Sequence, residues 1–126
     1  MGSHKELIVW QKAILLVEEI YKIIKLLPKE EMYALSEQMR RAAVSVPSNI
    51  AEGNARNSDK EYLHFLSIAQ GSNAEIETHL IICQHLGYIT DEQAAPALSL
   101  HAEIGKMLRK LINNVKDRSW KIETRG

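Results

Sequence analysis

Apolar residues recur at helical spacing through four stretches of the chain, and this pattern is the strongest constraint on its fold. The first stretch runs from Leu7 to Leu27 and stops at Pro28, because proline cannot continue a helix. Its apolar stripe is wider than one core face requires. We therefore expect this helix to be buried on two sides, one within the protomer and one against a partner.

The second stretch surrounds a proline. We predict one helix from Ala34 to Glu52 that is kinked near Pro47, since proline removes a backbone donor and clashes with the preceding turn. Gly53 lies near its end. Two shorter helices that meet at Pro47 are the alternative.

A capping box, S-D-K-E at Ser58–Glu61, opens the third helix. This helix is predicted from Asp59 to about Leu86, where Gly87 caps its C-terminus.

A second capping box, T-D-E-Q at Thr90–Gln93, opens a helix from Asp91 to about Val115, unless that helix begins only at Pro96. Four helices joined by short turns predict an all-α fold, an antiparallel up-down four-helix bundle. We expect one domain over residues 7–115, with residues 1–6 and 116–126 as flexible or extended termini.

The charge of the chain is balanced overall but not locally. The 126 residues include 16 Lys+Arg and 16 Asp+Glu, which excludes a protein that coats nucleic acid with its whole surface. Residues 1–105 hold 9 basic and 14 acidic residues, whereas residues 106–126 hold 7 basic and 2 acidic ones. The basic segment indicates contact with nucleic acid or an acidic partner. The alternative is that these cations only complement the negative end of the last helix.

The composition excludes several other classes of protein. Cys83 is the single cysteine, so an intramolecular disulfide framework and a cysteine-cluster zinc site are ruled out. Its place on the inner stripe of the third helix predicts a buried structural thiol. No apolar run approaches the ~20 residues of a membrane span, and no signal peptide opens the chain. We expect a soluble, cytoplasmic protein without a membrane partner.

Signals for catalysis are weak. Glu61 and His64 form one Glu-x-x-His pair, whereas a di-iron bundle needs two such pairs and two further glutamates. Glycine-rich nucleotide loops are absent. We therefore predict a non-enzyme without metal, cofactor or small-molecule substrate, and a metal-dependent enzyme that uses Glu61 and His64 is a minor alternative.

Basic residues outside the C-terminal segment concentrate in the polar stretch around Pro47. Arg40 and Arg41 are adjacent and project about 100° apart on a helix, so we expect one to reach an interior carboxylate, with Glu75 as the candidate. A structural network around the proline is the alternative to phosphate binding. The candidate phosphate contacts are Arg40, Arg41, Arg56, Lys60, Lys106, Arg109 and Lys110.

Three long motifs, at Val9–Ala13, Leu35–Gly53 and Phe65–Thr78, carry a family resemblance. They read V-W-Q-K-A, L-x-x-Q-M-R-R-A-A-V-S-V-P-S-N-I-A-E-G and F-L-x-I-A-x-G-S-x-x-E-x-E-T. Together they resemble the bacterial four-helix-bundle proteins encoded in intervening sequences of large-subunit ribosomal RNA genes, over roughly residues 7 to 115. The signature positions are Gln38, Arg41, Asn49, Glu52, Gly53, Gly71, Ser72 and Glu75.

The resemblance implies a ring-shaped homo-oligomer, a pentamer, with no known enzymatic activity. The family is similar in fold to the accessory variability protein of diversity-generating retroelements, a strongly basic pentamer that works with a reverse transcriptase and RNA. The present chain departs from that relative in its neutral balance. We therefore expect a non-enzymatic, homo-oligomeric interaction module that binds RNA, DNA or a nucleic-acid-handling protein. A protein-binding scaffold without nucleic acid is the alternative.

Overall fold

The structure, a computed structural model, describes residues 3–125, with side chains described for residues 3–120. It contains four α-helices: α1 (Ile8–Ile24), α2 (Leu35–Asn54), α3 (Asp59–His85) and α4 (Asp91–Arg125). Short 3-10 helices occupy His4–Glu6 and Lys29–Glu31. Within residues 3–125 there is no strand, and the predicted all-α, four-helix fold is confirmed.

Side-chain hydrogen bonds cap the starts of α3 and α4, and the box at Thr90–Gln93 also forms the reciprocal bond to the amide of its first residue. Ser58 Oγ accepts a hydrogen bond from the Glu61 amide at 3.2 Å. Thr90 Oγ1 accepts from the Gln93 amide at 3.1 Å, and the Gln93 side chain accepts from the Thr90 amide at 2.9 Å. These bonds satisfy amides that have no partner inside the helix, and they set the starts of α3 and α4 where the sequence predicts them.

The turn from α3 into α4 depends on Gly87. Its φ is 75°, in the left-handed region that favours glycine. The Tyr88 amide donates to the Cys83 carbonyl at 2.9 Å, and the Gly87 amide donates to the Gln84 carbonyl at 3.1 Å. This is a Schellman termination of the helix, and it confirms the predicted C-terminal cap.

The two helices that contain proline are continuous. Helix α2 passes through Pro47 without interruption, so the alternative of two shorter helices is wrong, and the kink stays a prediction. Helix α4 begins at Asp91 and contains Pro96, so a start at Pro96 is also wrong. Residues 116–125, assigned above to a flexible or extended terminus, continue α4 ten residues beyond the predicted end at Val115.

Each helix packs against two neighbours around an apolar centre. Helix α1 contacts α2 and α4, and α3 contacts the same two helices. Helices α3 and α4 run in opposite directions, because Asp59 hydrogen-bonds Arg118 near one end and Gln84 hydrogen-bonds Asp91 near the other. Leu16, Ile50, Leu66 and Leu108 place fully buried side chains in the core from the four helices. None of the described helices has the length and apolar character needed to cross a membrane.

Candidate interaction surfaces

Four cations form one face of α4, which we term the basic stripe: Lys106, Arg109, Lys110 and Lys116. All four are exposed, and at 100° per residue they lie within an arc of about 120°. Within residues 3–120, none of them is ion-paired with a carboxylate. One exposed carboxylate, Asp117, lies within the same arc, about 20° from Lys110 around the helix axis. Among the side chains of residues 3–120, the stripe therefore carries four cations and one carboxylate, and none of the four cations is held in a direct ion pair.

Lys116 was not among the predicted contacts. The apolar periodicity ends at Val115, so the sequence analysis places the following cations in a terminus without a defined face. The helical continuation of α4 instead sets Lys116 seven residues after Arg109, two turns along the same face. The signal available in the sequence was the absence of a proline or glycine stop before Gly126.

Two of the arginines predicted to contact phosphate, Arg40 and Arg56, are already paired with a neighbouring carboxylate. An Arg40 nitrogen lies 3.0 Å from Glu37 Oε2. An Arg56 nitrogen lies 2.9 Å from Glu52 Oε1, and its guanidinium sits 4.8 Å from the centre of the Phe65 ring. A phosphate would have to displace these carboxylates, which makes Arg40 and Arg56 weaker candidates than the basic stripe.

The remaining two predicted cations, Arg41 and Lys60, are exposed and have no ion pair among the described side chains. Lys60 follows Asp59, whose carboxylate lies 2.9 Å from Arg118. Lys60 therefore lies at the level of the end of the basic stripe. Arg41 belongs to α2, which does not contact α4. The predicted contacts thus form two separate groups rather than one site.

A polar groove lies between α2 and α3. Its cavity of about 340 Å³ is lined by Gln38, Arg41, Ala42, Ser45, Ser72 and Glu75. The hydroxyl oxygens of Ser45 and Ser72 are 2.8 Å apart. The Asn49 amide donates to Ser45 Oγ at 2.9 Å and to the Ser45 carbonyl at 2.8 Å. The groove therefore collects four of the signature positions, and a fifth, Asn49, bonds to a residue that lines it, although the five are spread over almost forty residues of sequence.

Glu75 corrects one expectation about this groove. Its Oε2 lies 3.3 Å from Nε2 of the buried His79, and its side chain is exposed. Arg41 lines the same groove, but among the described side chains no ion pair joins it to Glu75. The prediction that Arg40 or Arg41 pairs with Glu75 as an interior carboxylate is wrong, because Glu75 is exposed and pairs with His79, and Arg40 pairs with Glu37 one turn away on its own helix. Burial lowers the pKa of His79, while the Glu75 carboxylate acts in the opposite direction.

Gly53 and Gly71, two further signature positions, occupy opposite environments. A Cβ on Gly53 would lie 2.9 Å from Tyr62 Cδ1 and 3.0 Å from Phe65 Cβ, so α2 and α3 meet there without room for a side chain. A Cβ on Gly71 would have nothing within 4 Å. Gly53 therefore has a packing role within the chain, whereas Gly71 lies on an open surface.

An apolar groove runs between α1 and α2. A cavity of about 330 Å³ is lined mainly by Trp10, Ile14, Val17, Val44 and Pro47. Val44 also borders an adjoining depression beside Tyr21, so the groove continues along both helices. Ile8 and Leu15 on another face of α1, and Leu26 in the turn that follows this helix, are 61%, 45% and 48% exposed. The sequence predicts that α1 is buried on two sides. Its burial within the protomer is confirmed by its packing in the core, and its burial against a partner stays a prediction.

The residues of the enzymatic alternative do not converge. Glu61 contacts Ser58 in the capping box, and exposed His64 stacks edge-on with Phe65. Among the residues that the structure describes, no three His, Cys, Asp or Glu side chains are grouped to hold a metal ion. Cys83 is buried beside Met39, and burial raises its pKa to about 11. This thiol is therefore a structural group, as predicted.

Comparison with known proteins agrees with the motifs. The family model for the 23S rRNA-intervening sequence protein matches residues 5–110. A solved protein of unknown function from the S23 ribosomal protein family, from Bacteroides thetaiotaomicron VPI-5482, is 27% identical to the chain with a TM-score of 0.77. That alignment covers 83% of this chain and 98% of the other. A search of curated proteins finds no match. The chain therefore belongs to the 23S rRNA-intervening sequence protein family.

Proposed function

We propose that this protein is a non-enzymatic, cytoplasmic module that assembles with copies of itself and binds nucleic acid through the basic stripe of α4. The observation that carries the proposal is that Lys106, Arg109 and Lys110 are exposed on one helix face and pair with no carboxylate among the side chains that the structure describes. The family name supports the same reading, because it connects these proteins with a ribosomal RNA gene.

The physical argument concerns phosphate. A cation without an ion pair can approach a phosphate directly and release the counterions condensed on the nucleic acid. A cation already held by a carboxylate, such as Arg40 beside Glu37, must first lose that partner. The basic stripe therefore supplies the strongest electrostatic attraction of the surfaces described above, even though the net charge of the chain is zero.

Self-assembly belongs to the same proposal. The exposed side chains of Ile8, Leu15 and Leu26 and the groove between α1 and α2 are apolar surface that a second copy would remove from water. In a closed ring, which the resemblance implies to be a pentamer, symmetry repeats the basic stripe once per subunit. A weak contact between one stripe and RNA would then be strengthened by multivalency.

Nucleic-acid binding is tested with a matched pair of charge reversals. The stripe variant carries Lys106→Glu, Arg109→Glu and Lys110→Glu. The control carries Lys22→Glu, Lys25→Glu and Lys29→Glu, which change the net charge equally at the other end of the bundle. In a mobility-shift titration of an RNA fragment across salt, wild type should bind more weakly as salt rises. The stripe variant should lose binding and the control should keep most of it.

Two results would contradict this reading. Equal loss in both variants would mean that only the overall charge matters. Absence of RNA and DNA binding by wild type would leave the protein-binding scaffold, which a pull-down from the native host then tests. For assembly, analytical ultracentrifugation at micromolar concentration should find oligomers, and a monomer at every concentration would refute self-association.

A further inference from the structure

Trp120 extends the basic stripe. Because α4 continues as a helix to Arg125, Trp120 follows Arg109 by eleven residues and Lys116 by four, which returns it to within about 20° of Arg109 around the helix axis. Its side chain is 64% exposed. An indole with this much of its surface in contact with solvent, on a charged helix face, departs from the usual burial of large aromatic side chains.

The face of α4 opposite Arg109 is held to α3 within the same helical turn as Trp120. The Arg118 guanidinium donates two hydrogen bonds to Asp59 Oδ1, at 2.9 and 3.2 Å, and lies 5.8 Å from the centre of the Tyr62 ring. Residue 118 is about 180° from Arg109 on the helix. The anchor therefore turns the face that carries Lys116 and Trp120 away from the bundle.

We propose that the basic stripe binds single-stranded nucleic acid, with its cations on successive phosphates and Trp120 stacked on a base. This inference rests on the proposed function and specifies its ligand class. Single strands are bound by a positively charged track combined with aromatic side chains, because every unpaired base has an open face. In a duplex, neighbouring base pairs cover those faces, so the indole would add little to binding within the helix.

The length of the basic stripe matches a short stretch of single-stranded nucleic acid. From Lys106 to Trp120 the helix advances about 21 Å at 1.5 Å per residue. A stacked strand advances about 3.4 Å per nucleotide, so the stripe matches about six nucleotides. Four cations on a single strand predict a salt slope near −2.8 in log K against log salt, since each contributes about −0.7.

The experiment compares two ligands and three variants. The ligands are a 12-nucleotide oligouridine and a blunt 12-base-pair RNA duplex, each followed by fluorescence anisotropy. The variants are Trp120→Ala, Trp120→Phe and the control Tyr33→Ala, which removes an aromatic ring that is 91% exposed before the start of α2. Circular dichroism confirms that each variant is folded.

Trp120→Ala should weaken oligouridine binding about 5- to 150-fold, the range for loss of one stacked base. It should change duplex binding less than about twofold, because the phosphate contacts remain. Trp120→Phe should keep most of the affinity, and Tyr33→Ala should match wild type. In a Trp10→Phe background, oligouridine should also quench the fluorescence of Trp120.

The failures of the two proposals are distinguishable. If Trp120→Ala binds oligouridine like wild type, or wild type prefers the duplex, the single-strand inference is overturned. The proposed function survives that result provided that reversal of Lys106, Arg109 and Lys110 still abolishes binding. If wild type binds neither RNA, the proposed function itself is refuted.

Discussion

Replacement of Gly53 by alanine tests the closest approach between two helices of the bundle. The new Cβ would lie 2.9 Å from Tyr62 Cδ1, 3.0 Å from Phe65 Cβ and 3.3 Å from the Tyr62 carbonyl oxygen. Two of these neighbours belong to or sit directly on the α3 backbone, so a rotamer change alone cannot relieve the overlap. Overpacking of this kind costs about 1–3 kcal/mol.

Helix propensity acts in the opposite direction. Alanine is favoured over glycine within a helix by up to about 1 kcal/mol, and by less near a helix end. Gly53 is the penultimate residue of α2, so the gain there is partial. We expect Gly53→Ala to lower the free energy of unfolding by about 1 kcal/mol, which would lower Tm by about 3–5 °C for a domain of this size.

Gly71→Ala is the matched control, because it makes the same chemical change in a helix interior where nothing lies within 4 Å of the new Cβ. There we expect stabilisation of about 0.5–1 kcal/mol from propensity alone. The two variants should differ by about 2 kcal/mol, roughly a 30-fold difference in folding equilibrium.

Urea unfolding followed by circular dichroism measures both variants. Two protein concentrations are needed, because association of folded copies raises apparent stability with concentration. Stabilisation of Gly53→Ala by as much as Gly71→Ala would refute the packing argument. A loss of stability in Gly71→Ala that appears only at the higher concentration would instead place Gly71 against another copy.

Three further predictions concern buried polar groups. Burial lowers the pKa of His79, so below the ordinary pKa near 6.5 the unfolded chain binds a proton that the folded chain does not. The free energy of unfolding should therefore fall from pH 7.5 to pH 5.5, about one unit either side of that value. His79→Gln should flatten that fall in urea titrations, and an unchanged slope would contradict the assignment. With a pKa of about 11, Cys83 should react with a disulfide reagent at pH 8 only as the protein unfolds, so rapid reaction of the native protein would be inconsistent with its burial. Asn73 donates to the His101 carbonyl at 3.0 Å between α3 and α4, and Asn73→Ala should cost about 1–3 kcal/mol, which an unchanged urea midpoint would disprove.

The helix starts were predictable because their signals are local. Ser58 and Thr90 bond amides three residues away, so the same few letters that encode each cap also contain its partner. The pair between Arg40 and Glu37 was equally local, at a spacing of three residues. The dense polar stretch around Pro47 instead favoured a distant carboxylate as the partner, which is why the local pair was not predicted.

The end of α4 and the membership of the basic stripe were not predictable in the same way. Apolar periodicity marks only the part of a helix that faces the core, and it ends at Val115. The turn after Val115 is held by Arg118 on Asp59, a contact across 59 residues of sequence. Without that contact, the apolar periodicity of the sequence does not assign Lys116 or Trp120 to a face of α4. The polar groove likewise requires α2 and α3 to be paired in register before Ser45 and Ser72 can meet.

The helical geometry of α4 limits how insertions or deletions can lengthen the basic stripe and move Trp120 along it. The bundle has already nucleated the helix, so each residue added after Val115 lengthens it by about 1.5 Å without a new nucleation cost. The same residue rotates everything beyond it by about 100°. A single insertion between Lys116 and Trp120 would therefore carry the indole off the stripe, whereas seven residues would return it to within about 20° and move it about 10 Å outward. Useful changes in the length of this segment come in whole helical turns.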